Sequence, residues 1–257
     1  GAAMADAVLY EMRGAVAVIT INRPEARNAI NRAVRDGMQA AFERFEADDA
    51  AQVAILTGAG DRAFCAGMDP KEAASESRGP LPRGFLPVIG DTLQVGKPTI
   101  AAVNGFAMAG GWMFAQMCDL CIAAEHASFA ITEAKVGRGT PWAAPLGAML
   151  PQRVMMEILL TGDPISARRL LEIGYVNGVV PGEQLMPAAL AMAERIAANA
   201  PLTVRACREL VYLSQDMGRS AALRAARHLF VPVYASEDAQ EGPRAFAEKR
   251  RPVWKGR

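Results

Sequence analysis

Cysteine and histidine, the residues from which most metal and redox centres are built, are scarce in this chain. Its 257 residues include four cysteines and two histidines. Cys118 and Cys121 form a CxxC pair in "CDLC", but the sequence lacks the second pair that a four-thiolate metal site needs. The apolar flanks of this stretch indicate that both cysteines are small buried residues. We therefore expect no metal site and no redox cofactor.

A strong charge of one sign and long apolar runs are also lacking. The chain carries 28 basic and 27 acidic residues, a net charge of +1, which does not supply the basic field of a nucleic-acid-binding surface. The basic ending "KRRPVWKGR" is either a solvated tail or a contact to a phosphate-bearing ligand. No run reaches the roughly 20 apolar residues of a membrane helix, and the first residues lack the pattern of a signal peptide. We expect a cytoplasmic protein that binds neither nucleic acid nor membrane.

The order of the apolar runs predicts an α/β protein. "VLYEMRGAVAVITI" reads as a β-hairpin around Gly14, and residues 28–49 carry apolar residues at helical spacing. The runs "QVAILTG", "KPTIAAV" and "CDLCIAAEHASFAI" read as strands that alternate with helices, which favours a core of parallel strands. Beyond residue 142 the pattern is mostly helical, with one short strand at "YVNGVVP". Residues 75–87 have the composition of a flexible loop.

A glycine pair opens an apolar helix that we predict over Trp112 to Cys118. A helix N-terminus leaves backbone N–H groups without partners and carries partial positive charge. In "VNGFAMAGG", a buried strand and a turn place the N–H of Gly110 at such a terminus, where a polarised or anionic oxygen would bind. Close packing of the helix on a strand also explains the glycines, and both interpretations stay open.

Two further stretches carry candidate chemistry. "AFCAGMD", residues 63–69, follows a strand and is a turn of small residues in which a backbone N–H can face a ligand. In "FAITEAKVGRG", Glu133 lies among apolar residues, which disfavours its charged form and suits a proton carrier near neutral pH. The alternative is a Glu133 that forms an ion pair with Lys135 or Arg138, or that simply begins a helix.

Together these motifs resemble the crotonase superfamily, the enoyl-CoA hydratase/isomerase family. The resemblance covers nearly the whole chain and is carried by "NRPEARNAI", "AFCAGMD", "KPTIAAVNGFAMAGG", "CDLCIAAEHASF", "ITEAKVG", "LLTGDPISA" and "SEDAQEGPRAFAEKRRP". It implies a crotonase-like spiral of ββα repeats over residues 4–195. It also implies a helical C-terminal region, residues 196–257, that mediates a homotrimer or a hexamer made of two trimers. The implied substrate is an acyl-CoA thioester, with CoA arriving as part of the substrate.

The resemblance also implies roles for individual residues. The backbone N–H groups of Met68 and Gly110 would form an oxyanion hole for the thioester oxygen, and Glu133 would be the catalytic acid/base. The residues that would bind CoA are Ala26, Arg27, Ala66 and Lys249. Among them, the turn at Ala66 is expected near the adenine and Arg27 near the phosphates.

The sequence departs from the family at two places. Hydratases of this family usually carry a second glutamate three residues beyond the oxyanion glycine, and here that position is Met113. "GRGTPWAAPLG" replaces a glycine-rich turn and places Arg138 and Trp142 at the expected acyl end of the substrate pocket. Because Glu133 then stands alone, the resemblance favours an isomerase-like proton transfer over hydration. The alternatives are a hydratase with a second acid at Asp69, Glu72 or Asp91, a catalytically silent acyl-CoA-binding protein, and a structural protein without a ligand.

Overall fold

The chain begins with a hairpin and a helix that match the sequence pattern. A computed structural model describes residues 6–75 and 79–257. β1 (Val8–Arg13) and β2 (Val16–Ile21) pair antiparallel around Gly14, and α1 (Arg32–Ala47) follows, with the Asn31 side chain accepting a hydrogen bond from the Val34 N–H. The buried face of α1 is the predicted apolar stripe, formed by Val34, Met38, Ala41, Phe42 and Phe45.

Two sheets form the core. The larger has the order β1-β2-β3-β5-β7-β10, in which β3 (Val53–Gly58), β5 (Thr99–Val103), β7 (Leu120–Ala124) and β10 (Gly178–Val180) run parallel to β2. The smaller has the order β4-β6-β8-β9 and consists of β4 (Ala63–Cys65), β6 (Phe106–Met108), β8 (Ser128–Ala130) and β9 (Ile165–Ser166). Its first three strands are parallel, and β9 is antiparallel to β8.

The chain passes between the two sheets in a regular spiral. Three consecutive units each send one strand into the larger sheet and one into the smaller, and then form a helix. These units end in α2 (Pro70–Ser75), α3 (Gly110–Gln116) and α4 (Glu133–Val136). The predicted spiral of ββα repeats is therefore confirmed. Because the strands are parallel, the turns that precede the three helices lie at the same side of the spiral.

Six α-helices follow α4, as the helical pattern beyond residue 142 predicts. They are α5 (Gln152–Thr161), α6 (Ala167–Glu172), α7 (Leu185–Ala197), α8 (Pro201–Asp216), α9 (Arg219–Tyr234) and α10 (Asp238–Ala247). Leu185, Ala189 and Ala193 of α7 are buried in the core. The predicted division between residues 195 and 196 falls in the last turn of α7, and the division itself stays a prediction.

Three short strands and one helix boundary differ from the sequence prediction. β4 and β6 were expected to be turns and β9 was not expected, because strands of two or three residues are too short to show an alternating pattern. α3 begins at Gly110 itself rather than at Trp112. Of the predicted loop, residues 76–78 lie outside the described residues, and residues 79–87 contain neither helix nor strand.

The cysteine pair lies in the interior, as its apolar flanks predict. Cys118 and Cys121 are both buried, and burial raises the pKa of the Cys121 thiol to about 12. Among residues 6–75 and 79–257, no group of three or more histidine, cysteine, aspartate and glutamate side chains is arranged to hold a metal ion. In the same ranges, no helix combines the length and the apolar character needed to cross a membrane. The cytoplasmic location stays a prediction.

The glycine pair at the start of α3 has two different structural roles. A Cβ atom at Gly111 would lie 1.9 Å from the carbonyl oxygen of Cys65, a backbone atom that cannot move aside. At Gly110 the nearest atom would be the Ile30 Cδ1 atom at 3.0 Å, the end of a flexible side chain. Gly111 is therefore required for the packing of α3 against β4, whereas Gly110 is not required for packing.

We expect Gly111→Ala to destabilise the fold by about 3 kcal/mol, because overpacking against fixed backbone has no local relaxation. Gly110→Ala is the matched control and should change stability by less than about 1 kcal/mol, since the Ile30 side chain can turn away. The measurement is urea unfolding of both variants and the parent at one protein concentration. Equal stability of the two variants would contradict this account of the packing.

Candidate active site

Two short turns, which follow β4 and β6, lie against each other. Gly67 has a φ of 91°, a value that suits glycine. A Cβ atom there would lie 3.0 Å from the Met108 carbonyl oxygen and 3.7 Å from the Gly110 nitrogen. The parallel pairing of β4 with β6 places the ends of these strands side by side. The stretches "CAGM" and "MAGG", which are distant in sequence, therefore meet.

The two predicted oxyanion-hole amides lie in these turns. The Ile30 N–H donates to Gly67 O at 2.7 Å, and the Asp69 N–H donates to Ile30 O at 2.9 Å. These backbone hydrogen bonds involve the residues on either side of Met68 and not the Met68 N–H itself. Gly110 is the first residue of α3, where an N–H has no acceptor within the helix. Within residues 6–75 and 79–257, neither the Met68 nor the Gly110 N–H donates to a protein acceptor. Unpaired N–H groups in adjoining turns are suited to bind a ligand oxygen.

The residue before Gly110 has a strained backbone. Ala109 has φ 52° and ψ −120°, the conformation of the first central residue of a type II′ turn, which glycine adopts most readily. Its N–H donates to Ala130 O at 2.8 Å, and its carbonyl oxygen accepts from the Met113 N–H at 3.1 Å. These bonds on either side hold the peptide that carries the Gly110 N–H in one orientation.

Glu133 begins α4, directly after the strand that borders the Gly110 turn. β8 pairs with β6, with Ala130 opposite Met108, and Glu133 follows three residues later. The Glu133 side chain is partly buried, and its Oε2 atom has no hydrogen-bond partner among the described residues. Burial raises the pKa of this carboxyl above the usual 4.5, and a hydrogen bond from its own N–H offsets that effect only in part.

The ion pairs that would have made Glu133 purely structural do not occur. Lys135 pairs with Asp163 at 3.0 Å, and Arg138 Nη2 donates to Gly79 O at 3.5 Å. Glu133 does begin a helix, as the second structural alternative supposed, but α4 has only four residues. The carboxyl group is thus partly shielded from water, and it forms no ion pair within residues 6–75 and 79–257.

Two of the carboxylates considered as a second acid are bonded to arginines. Asp69 is buried and accepts from the Lys71 N–H at 2.9 Å and from Arg23 Nη2 at 3.1 Å, and these bonds, the Lys71 bond first, lower the pKa of its carboxyl. Asp91 is largely exposed and pairs with Arg83 at 3.1 Å. Neither group resembles Glu133 in its surroundings.

The third candidate, Glu72, is held in the same way. It accepts from the Arg32 N–H and from Arg35 Nη1, both at 2.8 Å. Burial alone would raise the pKa of Glu72, but the two donors outweigh burial and leave the pKa below its usual value. Glu133 thus differs from these candidates: burial raises the pKa of its carboxyl, and its buried Oε2 atom has no hydrogen-bond partner among the described residues.

The residues predicted to line the substrate pocket are arranged unequally. Met113 lies one helical turn beyond Gly110 on α3 and is 1% exposed. Trp142 is partly buried, and its carbonyl oxygen accepts from Gln116 Nε2 at 3.2 Å, which joins α3 to the segment after α4. Arg138 is exposed. The structure therefore places Met113 in the middle of α3 and Trp142 beside its last residue, and leaves Arg138 at the surface.

Three of the four predicted CoA-binding residues lie together. The Ala66 N–H donates to Arg27 O at 3.1 Å, and Ala26 is the preceding residue, the last of a short 3-10 helix, Pro24–Ala26. Arg27 is exposed, as is Lys249 beyond the end of α10. Within the described ranges, no hydrogen bond or ion pair joins Lys249 to the other three.

Arg23 and Asn28, both within "NRPEARNAI", were not singled out by sequence reasoning. Asn28 is fully buried with a φ of 55°, and its Nδ2 atom donates to Ala59 O at 3.0 Å and to Ala63 O at 2.7 Å. Arg23 Nη1 donates to Ala29 O at 2.7 Å. The available signal was the presence of polar side chains in a stretch that follows a buried strand.

One surface cleft shares no lining residue with these turns. It has a volume of about 520 Å³ and is lined by residues 13–16 of the first hairpin and by the C-terminal half of α7. Val16 begins β2, so the cleft borders the N-terminal ends of the parallel strands. In parallel sheets of other proteins, ligands bind at the carboxyl ends of the strands.

The spiral of ββα repeats is the crotonase fold, and solved structures of similar proteins share it. A crystal structure of a probable enoyl-CoA hydratase/isomerase from Mycobacterium abscessus superposes with a TM-score of 0.89, at 41% identity over 99% of this chain and 100% of that one. Enoyl-CoA hydratase from Mycobacterium tuberculosis H37Rv superposes with a TM-score of 0.91, at 39% identity over 98% of this chain and 100% of that one.

Sequence comparison gives the family. Residues 11–257 match the family model of enoyl-CoA hydratase/isomerase. Carnitinyl-CoA dehydratase of Proteus mirabilis (strain HI4320) is 38% identical over 99% of this chain and all of its own length, and that of Salmonella typhi is 39% identical over the same shares. The chain belongs to the enoyl-CoA hydratase/isomerase family, and the predicted resemblance is confirmed. It is an enzyme of the lyase or isomerase group.

We expect Glu133→Gln to stabilise the folded protein at pH 7 to 8. Because the folded-state pKa of Glu133 is raised, its carboxyl contributes stability that is present below pH 4.5 and is lost as the pH rises through the folded pKa. Replacing the shielded charge by an amide removes this loss of stability at neutral pH. Near pH 4, where the carboxyl is protonated, the variant should be no more stable than the parent. Thermal unfolding against pH measures the effect.

The matched control is Glu183→Gln, which removes the same charge from an exposed side chain. It should leave the unfolding temperature unchanged at both pH values. A Glu133→Gln variant that is no more stable than its parent at neutral pH would show that the Glu133 charge is not shielded.

Proposed function

We propose that the protein moves a double bond in an acyl-CoA thioester, with Glu133 as the single acid/base and the N–H groups of Met68 and Gly110 as the oxyanion hole. The observation that carries the proposal is the state of the Glu133 carboxyl. Its Oε2 atom is buried and unpaired among the described residues, while Asp69 and Glu72 are both bonded to arginines. A carboxyl with a raised pKa is suited to exchange protons with carbon near neutral pH.

In this mechanism the Glu133 carboxylate takes a proton from C2 of a 3-enoyl thioester. The electron pair left on C2 moves into the conjugated system and places negative charge on the thioester oxygen, which accepts hydrogen bonds from the two amides. The protonated Glu133 then returns the proton to C4, and the double bond ends between C2 and C3. Because the charge develops at a preorganised pair of donors, each donor stabilises the transition state by roughly 3–4 kcal/mol.

Met113 supports a reaction that needs no second proton carrier. It lies one turn beyond Gly110, is 1% exposed, and has a side chain that neither donates nor accepts a proton. Hydration requires a group that activates water as well as a group that protonates carbon. A double-bond shift requires only one group that visits two carbons in turn. The apolar side chain at position 113 therefore favours the shift.

Dehydration of a β-hydroxyacyl-CoA is the second candidate, and the relatives favour it. Proteins that are 38–39% identical over 99% of this chain are named carnitinyl-CoA dehydratases. With one glutamate, the proton taken from C2 would be passed to the departing hydroxyl, which leaves as water. The same oxyanion hole serves both reactions, so the fate of the proton separates them.

The proposal includes the CoA moiety and the assembly. Ala26, Arg27 and Ala66, which adjoin one another, would hold the nucleotide part of CoA, with Arg27 exposed beside it and Lys249 as a further cation. We propose a homotrimer or a pair of trimers built through the C-terminal helices, which carry large exposed apolar side chains of the kind found at interfaces. These side chains are Val211, Leu223, Val231, Tyr234 and Phe246, and Val253 beyond the last helix is also exposed.

The first test supplies trans-3-hexenoyl-CoA and follows the appearance of the conjugated enoyl thioester by absorbance. We expect turnover by the parent and a loss of roughly 10²- to 10⁴-fold in Glu133→Gln, because the proton carrier is removed. The rate should fall with decreasing pH along a limb centred above pH 4.5, since the base must be ionised. Glu183→Gln is the control and should retain full activity.

Two results would overturn the proposal. Rapid hydration of crotonyl-CoA that survives Glu133→Gln would exclude a single-carboxylate mechanism. Tight binding of acyl-CoA thioesters by calorimetry without turnover of enoyl or hydroxyacyl substrates would instead indicate a silent binding protein.

The second test restores a carboxyl group at position 113. We expect Met113→Glu to raise the rate of crotonyl-CoA hydration at least tenfold, because a second carboxyl one turn beyond Gly110 can activate water. Met113→Gln is the matched control, with a side chain of similar size that does not transfer protons. Hydration that is equal in the two folded variants would show that position 113 does not face the reacting carbons.

A further inference from the structure

The Met68 amide is held in a short backbone ladder rather than in a regular strand. Residues 27–30 and 66–69 pair through Ala66 N–H to Arg27 O at 3.1 Å, Ile30 N–H to Gly67 O at 2.7 Å, and Asp69 N–H to Ile30 O at 2.9 Å. Ile30 lies opposite Met68 in an isolated bridge. Both segments lie in loops, so a ladder this short needs further contacts to hold its register.

Arg23 supplies contacts to both sides of that ladder. Its Nη1 atom donates to Ala29 O at 2.7 Å on one side, and its Nη2 atom donates to Asp69 Oδ2 at 3.1 Å on the other. The side chains of Arg23 and Asp69 are 19% and 12% exposed, so the pair is largely shielded from water. A planar guanidinium can bridge two fixed acceptors in this way, which a flexible ammonium group does less well.

The two partners of this bridge are themselves fixed. The other oxygen of Asp69 accepts from the Lys71 N–H at 2.9 Å, which ties the carboxylate to the start of α2. The Arg23 N–H donates to Asn28 Oδ1 at 2.9 Å, and Asn28 Nδ2 donates to Ala63 O at 2.7 Å in β4. The bridge therefore connects the ladder around Met68 to the strand that precedes it.

We propose that Arg23 and Asp69 are positioning residues that set the direction of the Met68 N–H for the thioester oxygen. The inference rests on the proposed function, because it assigns a support to the proposed oxyanion hole. The paired charges cancel, so the bridge acts through geometry and adds no net positive charge near the oxygen. Small displacements of a catalytic donor are costly, since roughly 1 Å of misplacement can lower a rate about 10²-fold.

The test measures polarisation of a bound thioester directly. The probe is 4-(dimethylamino)cinnamoyl-CoA, whose absorption moves to longer wavelength when hydrogen bonds pull electron density onto the thioester oxygen. At saturating protein, we expect a clear shift with the parent and a shift reduced by at least half with Arg23→Gln and with Asp69→Asn. Arg23→Lys, which keeps the charge, should give an intermediate shift.

Kinetics add a readout that a merely structural role would not move. With trans-3-hexenoyl-CoA, we expect Arg23→Gln to lower kcat roughly 10- to 100-fold while KM changes less than about threefold. The reason is that the change weakens the hydrogen bond from the Met68 N–H to the thioester oxygen, and this bond strengthens only in the transition state. The acidic limb of the pH profile should stay in place, since Glu133 is untouched. The double variant with Asp69→Asn should be no worse than the worse single variant, because both changes remove the same bridge.

Arg35→Gln is the matched control. Arg35 pairs with Glu72 at 2.8 Å, and its side chain is 12% exposed. The Arg35→Gln variant therefore loses a similarly shielded ion pair, but one that connects α1 to α2 and does not connect the ladder around Met68 to β4. It should lower the unfolding temperature without reducing the spectral shift of the probe. A reduced shift in this control would overturn the inference, because general loosening would then explain the effect.

The outcomes separate this inference from the proposed function. If the parent binds the probe without any spectral shift, the proposed oxyanion hole fails and the inference fails with it. If the parent shifts the absorption of the probe, and folded Arg23→Gln and Arg23→Lys shift it as far as the parent does, only the positioning role is overturned. Should Arg23→Gln fail to fold, Arg23→Lys and Asp69→Asn decide the question by the same measurement.

Discussion

Close approach between main-chain segments is the constraint on which the rest of this structure depends. Gly111 lies so near Cys65 O that no side chain fits between α3 and β4, and Gly67 lies beside Met108 O with a backbone conformation that suits glycine. Small residues at these positions let two turns from separate ββα units touch. The Met68 and Gly110 N–H groups, which have no acceptor among the described residues, belong to these two turns. Packing and ligand access were alternative explanations of the glycine pair. Packing accounts for Gly111, which leaves ligand access as the explanation for Gly110.

The charged groups around the turns are arranged so that one carboxyl differs from its neighbours. Asp69 and Glu72 are bonded to arginines and to backbone N–H groups of other residues. Among the described residues, Glu133 forms no ion pair and accepts a hydrogen bond only from its own N–H, and it is partly shielded from water. Shielding strengthens hydrogen bonds as well as raising the pKa of a lone carboxyl, since both effects follow from the low local dielectric. Met113 extends this apolar environment along α3. The proposed mechanism requires one such proton carrier beside two fixed hydrogen-bond donors.

The C-terminal helices are attached to the spiral by a network around Asp119. This carboxylate accepts from the Thr99 N–H at 2.9 Å and from Arg208 Nε at 2.9 Å, and the Tyr212 hydroxyl also donates to it. α8 is thereby joined to the start of β5 and to the turn after α3. The helices that would form an assembly are consequently connected to the same element that carries the Gly110 amide, which links the quaternary proposal to the site.

Long periodic segments and the family motifs were determined by the sequence alone. The buried stripe of α1 and the strands β3 and β5 follow from residues close together in the chain. The candidate site of Met68, Gly110 and Glu133 follows from the ordered motifs of the family resemblance. Only the tertiary structure decided that "AFC" and "FAM" are strands, that Gly111 rather than Gly110 is fixed by packing, and that Arg23 bridges to Asp69. Each of these depends on atoms from segments far apart in sequence. The physical reason is that a contact between two segments distant in sequence produces no periodic pattern of apolar residues in either segment.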